Sequence, residues 1–142
     1  MLAIYPISTG YQIMGILHIL AAVVAFGPMF LYPALHRAGE LSTIAKLHMR
    51  MTFPALVVLW VLGMGLAGMS DKTFELSQTW LVLSTIIWLL MMLVSWFFIR
   101  PAVTDASERA RSQLAMGTGV THLLLVVALY LMIFKPGAPG GL

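Results

Sequence analysis

Four long apolar runs dominate the chain: Tyr11 to Leu35, Phe53 to Met69, Trp80 to Ile99 and Leu114 to Phe134. A bilayer core about 30 Å thick needs on the order of 20 helical residues at about 1.5 Å each, and each run is long enough or nearly so. The remaining sequence is too short to build a separate soluble core. Composition agrees: 61% of the 142 residues are apolar and 9% charged, with a mean hydropathy of +0.97. Soluble domains are roughly 45–50% apolar and about 25% charged. The chain therefore reads as an integral membrane protein, all-α, with one four-helix domain over residues 1–135 and a flexible tail at 136–142. Short connections between consecutive spans, near 11–35, 50–69, 80–99 and 110–134, predict an up-down-up-down bundle.

Charge placement predicts the orientation. Arg37, Lys46 and Arg50 follow the first run and Arg100, Arg109 and Arg111 follow the third, whereas the opposite side carries only Lys72 and Lys135. Basic loops stay cytoplasmic, so both termini are expected to face outward across a bacterial inner membrane. The first run lacks a basic leader and is too long for a signal-peptide core, so it is expected to remain in the mature chain. Tyr11 and Trp80 are expected to act as interfacial anchors. The basic residues lie between spans rather than in one run, which excludes a nucleic-acid surface. With no cysteine, thiolate and iron–sulfur chemistry are excluded as well.

Local signals set the helix ends. Asp105 and Glu108 have capping-box spacing, predicting that the fourth helix starts near Ala106. Ser42 or Thr43 could cap the second helix. Pro101 is expected to stop the third helix, and Pro28, Pro33 and Pro54 to kink or end the helices that hold them.

Two ionisable residues fall deep inside the runs, His18 in "MGILHILAAV" and His122 in "GTGVTHLLL". Gly15 and Gly119 each stand three residues before their histidine, on the same helix face. A stripped patch of this kind lets a neighbouring helix approach, with the histidine hydrogen-bonded across the interface. It also clears room for a heme whose iron the imidazole ligates. Counting helical rise from Arg37 and Arg111 puts the two histidines about 12 Å apart in depth. One iron shared by both is disfavoured, and two sites or a non-histidine second ligand fit better.

Met64 in "LGMGLAGM" offers a thioether near the outer level of His18, although most methionines serve as pliable packing. Gly63 and Gly65 beside it would make room for a ring. Arg50 and Arg100 are candidates to bind propionates or another acidic group. His36 and His48 read as solvated histidines at the inner interface. No embedded carboxylate pair, nucleophile triad or HExxH motif is present, which removes hydrolase and protease chemistry.

The segments "LHILAAVVAFGPMFLYPALHR" and "RMTFPALVVLWVLGMGLA", with "KP" after the fourth run, resemble the HemJ-type protoporphyrinogen oxidases and the wider CopD-like group of small four-helix membrane proteins. The resemblance implies heme b and porphyrinogen oxidation. It would give His18 the first-span histidine's place, with Arg50, Pro54, Trp60, Gly63, Lys135 and Pro136 at further matching positions. That family carries a lysine soon after the opening tryptophan of its third span, where this chain reads Trp80 and then "LVLST"; His122 has no counterpart in it. The expectation is thus a heme b-binding membrane protein with a redox role, either electron transfer with a quinone or porphyrin oxidation. His18 and His122 are its metal-ligand candidates, and any enzymatic activity would be that of an oxidoreductase. Two alternatives are a non-catalytic subunit docking on partner helices or a second copy, and CopD-like copper handling.

Overall fold

The computed structural model describes residues 8–70 and 74–138; Met1, Lys72 and residues 139–142 lie outside them. Four helices carry the chain: α1 (Thr9–Arg37), α2 (Leu41–Gly68), α3 (Thr79–Ala102) and α4 (Glu108–Phe134). Each is long and apolar enough to cross a membrane. Large apolar side chains such as Ile19, Phe97, Leu123 and Ile133 point outward, as a lipid-facing surface requires.

The intrahelical prolines do not end their helices. Pro28 opens a 3₁₀ turn (Pro28–Leu31) after which α1 continues to Arg37. Wide π turns at His48–Thr52 and Ser95–Ile99 come just before Pro54 and Pro101. A proline ring in an α-helix clashes with the carbonyl four residues back. Those carbonyls belong to Arg50 and Phe97, both inside π turns, whose wider path relieves the clash. The Gln113 side-chain amide donates to the Phe98 carbonyl at 3.1 Å, satisfying backbone in the same turn. Helix α3 accordingly runs through Pro101 to Ala102.

Two caps differ from expectation. Helix α2 begins at Leu41, with Glu40 rather than Ser42 or Thr43 at the N-cap. Helix α4 begins at Glu108, where the Ser107 hydroxyl accepts the Ala110 N–H at 3.1 Å. Asp105 sits one step earlier and organises Ser107 instead, its carboxylate accepting the Ser107 N–H at 2.8 Å and hydroxyl at 3.0 Å. Those two donors hold the Asp105 carboxyl below the usual carboxylate range. A depressed folded-state pKa gives stability that is present above the unfolded value and lost as pH falls through the folded one. Thermal scans should therefore show the wild type losing a small increment below about pH 4, and Asp105→Asn should flatten that step.

Helices α1 and α2 pack closely along their length, as do α3 and α4, while the two pairs touch each other chiefly at the end that carries Arg37, Arg50, Arg100 and Arg111. At this basic end Met29, Tyr32, Ile44, Leu56, Ile99 and Leu114 form a sealed core. Gly117 lets α4 approach α3 there, since a Cβ on it would meet Ile99 Cγ1 at 3.0 Å. Toward the opposite end the pairs separate, and a cavity opens between them. The chain after α4 folds over that end: Lys135 takes a left-handed conformation, Ala138 N–H returns to the Lys135 carbonyl at 3.0 Å, and Ala138 packs beside Trp80 and Leu81. Residues 136–138 are thus a turn docked on the bundle, not a loose tail.

Candidate functional site

The cavity between the helix pairs has a volume of about 250 Å³. Its walls are apolar and aromatic. Trp60 from α2 and Trp88 from α3 stack with ring centroids 5.2 Å apart, and the Trp88 indole N–H is fixed on the Leu56 carbonyl at 2.8 Å. His18 enters from α1 and Met64 from α2, with Phe26 and Met91 toward the basic end. At the mouth, the Lys135 ammonium lies 4.6 Å from the Phe74 ring centroid and 5.9 Å from that of Trp80. Cation–π attraction of this kind holds an ammonium without neutralising it.

Gly63 clears the space for His18. A Cβ there would sit 3.0 Å from His18 Cε1 and 3.5 Å from Nδ1, so the imidazole lies directly on the α2 backbone. His18 Nδ1 and the Trp60 indole nitrogen are both buried without a hydrogen-bond partner among the described residues. An indole N–H can only donate, and buried polar atoms left unpaired are uncommon enough to call for an explanation. Both belong to side chains that line one cavity, with the nitrogens themselves covered by the surrounding helices.

The other sequence candidates separate from this site. His122 lies outside the cavity, stacked on Phe30 at 3.8 Å with the rings 19° apart, and its Nε2 is likewise unpaired. The structure therefore does not bring His18 and His122 together in one cavity. Gly15 and Gly119 face open space, where an added Cβ would meet nothing within 4 Å. The close approaches expected of them occur instead at Gly63 and Gly117. Arg50 and Arg100 are exposed at the basic end, with Arg100 stacked 4.0 Å over Trp96, far from the mouth held by Lys135.

His36 and His48 are not solvated: they are 4% and 0% exposed. His36 Nε2 donates to the Asp105 carbonyl at 2.9 Å, and His48 Nε2 lies 3.3 Å from the Ser95 carbonyl and 3.1 Å from its hydroxyl. Trp80 also turns inward, 4% exposed and donating to Gln78 at 2.8 Å, so it closes the bundle rather than anchoring it at the interface. Tyr11 lines the cavity beside it. Sequence reasoning passed over the Trp60–Trp88 pair. Its signal was position: two tryptophans in the middle of apolar runs, away from the interfacial levels where tryptophan normally gathers.

The fold and site define a multi-pass, all-α four-helix membrane protein with an aromatic cavity inside the bundle. No protein-family model, curated protein or solved structure matches the chain.

Proposed function

We propose that the chain is a redox protein of the bacterial inner membrane whose cavity binds a planar conjugated ring, foremost a quinone head group. The observation that carries this reading is the pair of unpartnered nitrogens, on His18 and Trp60, beside one aromatic cavity. Turning the Trp60 indole toward the cavity would bring its buried N–H to a quinone carbonyl, the stacked indoles supply a flat apolar wall, and His18 can take or return a proton at a ring hydroxyl. Lys135 favours electron-rich oxygen at the mouth. An isoprenoid tail would leave between the two helix pairs into lipid.

Heme b is the second reading, supported by an imidazole, His18, and a thioether, Met64, lining the same cavity, both donor types that iron accepts. Bound heme would supply one-electron chemistry. The fit is poorer than for a quinone. A volume of about 250 Å³ falls below the roughly 300–1,000 Å³ of most ligand pockets. His122 is not available as a partner ligand, and Arg50 and Arg100 are at the wrong end for propionates. HemJ-like porphyrinogen oxidation rests on the sequence resemblance. Copper handling has less behind it, because among the described residues no three His, Cys, Asp or Glu side chains converge.

Titrating the purified chain with a short-tailed ubiquinone should quench tryptophan fluorescence saturably. Trp60→Phe keeps the ring and loses the donor, and a lost hydrogen bond of about 1 kcal/mol should weaken binding about fivefold. A Soret band in the purified protein would favour heme. Neither saturable quenching nor a Soret band would sink the redox reading and leave docking as a non-catalytic subunit.

A further inference from the structure

The two helix pairs face each other along two seams, α2 against α3 and α1 against α4, and the cavity lies between them. The α2–α3 seam is bridged along its length. Toward the basic end His48 Nε2 meets the Ser95 hydroxyl at 3.1 Å, Phe53 and Trp96 pack with ring centroids 5.3 Å apart, and Trp88 is tied to the Leu56 carbonyl. The Trp60–Trp88 stack carries the bridging into the cavity wall. At the opposite end Ala67 of α2 packs with Trp80 and Leu81 of α3, all three buried.

The α1–α4 seam is bridged in its basic half alone. There His122 of α4 stacks on Phe30 of α1 at 3.8 Å, and the last part of α1, Tyr32–Arg37, packs on α4. Across the 3₁₀ turn at Pro28–Leu31, where a proline bends the helix, α1 changes partner. Thr9–Phe26 packs along α2, with the small Ala21, Ala25 and Ala55 buried, and hardly approaches α4. On α4 the stripe that begins at His122 continues through Leu125, Leu129 and Met132 at helical spacing. Those three line the cavity, and Leu129 and Met132 are 50% and 36% exposed. Among the described residues no other cavity-lining side chain lies open on the outer surface.

We infer that the α1–α4 seam is a lateral portal, through which the ring ligand enters from the bilayer and in which its aliphatic tail rests. Helical rise from Arg50 puts Trp60, in the cavity wall, about 15 Å from the basic boundary, at the mid-plane of a core about 30 Å thick. What faces the seam at that level is lipid hydrocarbon, so an apolar chain passes in without stripping water from any polar group. A cavity of about 250 Å³ has room for a head group but not for a long tail as well, and Leu125, Leu129 and Met132 give that tail an apolar bed outside it. The His122–Phe30 stack sets the limit of the opening toward the basic end. The purpose of the portal rests on the ring-ligand reading, whose ligand it delivers.

Its test uses lipid chains and no quinone or heme, so its failure is separate from failure of that reading. The chain is placed in phosphatidylcholine nanodiscs with or without bromine near the acyl-chain ends, and quenching of tryptophan fluorescence is measured. Trp96→Phe is the background, because Trp96 is exposed on the outer surface, while Trp80 is buried near the opposite end. Bromine quenches at close range, so a closed seam shields Trp60 and Trp88. The expected result is strong quenching, cut by about half or more in Ala22→Phe, whose ring fills the seam from the α1 side, and raised in Leu129→Ala, which widens it. Should Ala22→Phe not fold, Leu129→Ala decides, since it trims a side chain already half exposed. Weak quenching in the background chain, or equal quenching in it and the variants, overturns the proposal.

Discussion

Gly63→Val is expected to abolish binding of a ring ligand while leaving the four helices intact. A Cβ at this position already lies 3.0 Å from His18 Cε1, and the two methyl groups of valine would occupy the space of the imidazole itself. The ring must swing away, and the swing takes up cavity volume that the ligand needs. A loss of at least about tenfold, some 1.4 kcal/mol, should appear in the quinone titration. Gly65→Ala is the control two residues on: its Cβ would meet only the flexible end of Met14, 3.5 Å away. Equal affinity in Gly63→Val and wild type would mean that the ligand does not use the His18 face.

The second large effect concerns stability. Thr52→Val conserves volume but leaves the buried Tyr32 hydroxyl without its 2.8 Å partner. An orphaned buried hydroxyl costs about 1–3 kcal/mol. Tyr32→Phe removes the other half of the pair and should cost less, because a threonine hydroxyl can fall back on a carbonyl of the preceding helical turn. Thermal unfolding in detergent should therefore rank wild type, Tyr32→Phe and Thr52→Val in falling order of stability. A reversed order would show that the hydroxyl pair is not what Tyr32 contributes.

The membrane class and the four helices were legible because hydropathy over long runs needs no tertiary information. From the residues themselves the site was legible at His18, Met64 and Gly63, with Trp60 and Lys135 named through the resemblance, and the structure revises how the glycine serves the histidine. The glycine that makes room for His18 is Gly63 on another helix, not Gly15 on its own, and pairing across helices cannot be read along one of them. His36 and His48 looked solvated because they sit among Arg37, Lys46 and Arg50, yet neighbours in sequence on a helix point to different sides. The depth arithmetic for His18 and His122 assumed uniform α-helix, whereas α1 passes through a 3₁₀ turn between His18 and Arg37. Pro101 read as a stop and Pro54 as a kink or an end because their compensation lies in the preceding π turns.

Those two turns also change the phase of the helices that contain them. Each wide turn inserts one extra residue, and one residue is about 100° of rotation around a helix axis. A single helical wheel drawn through all of α2 or α3 therefore assigns one half to the wrong side. Two wheels per helix, offset by that angle, are the correct projection. The slip falls at one level in both neighbours, where His48 meets Ser95. The phase error is thus shared, and the inward faces of α2 and α3 stay matched above and below it.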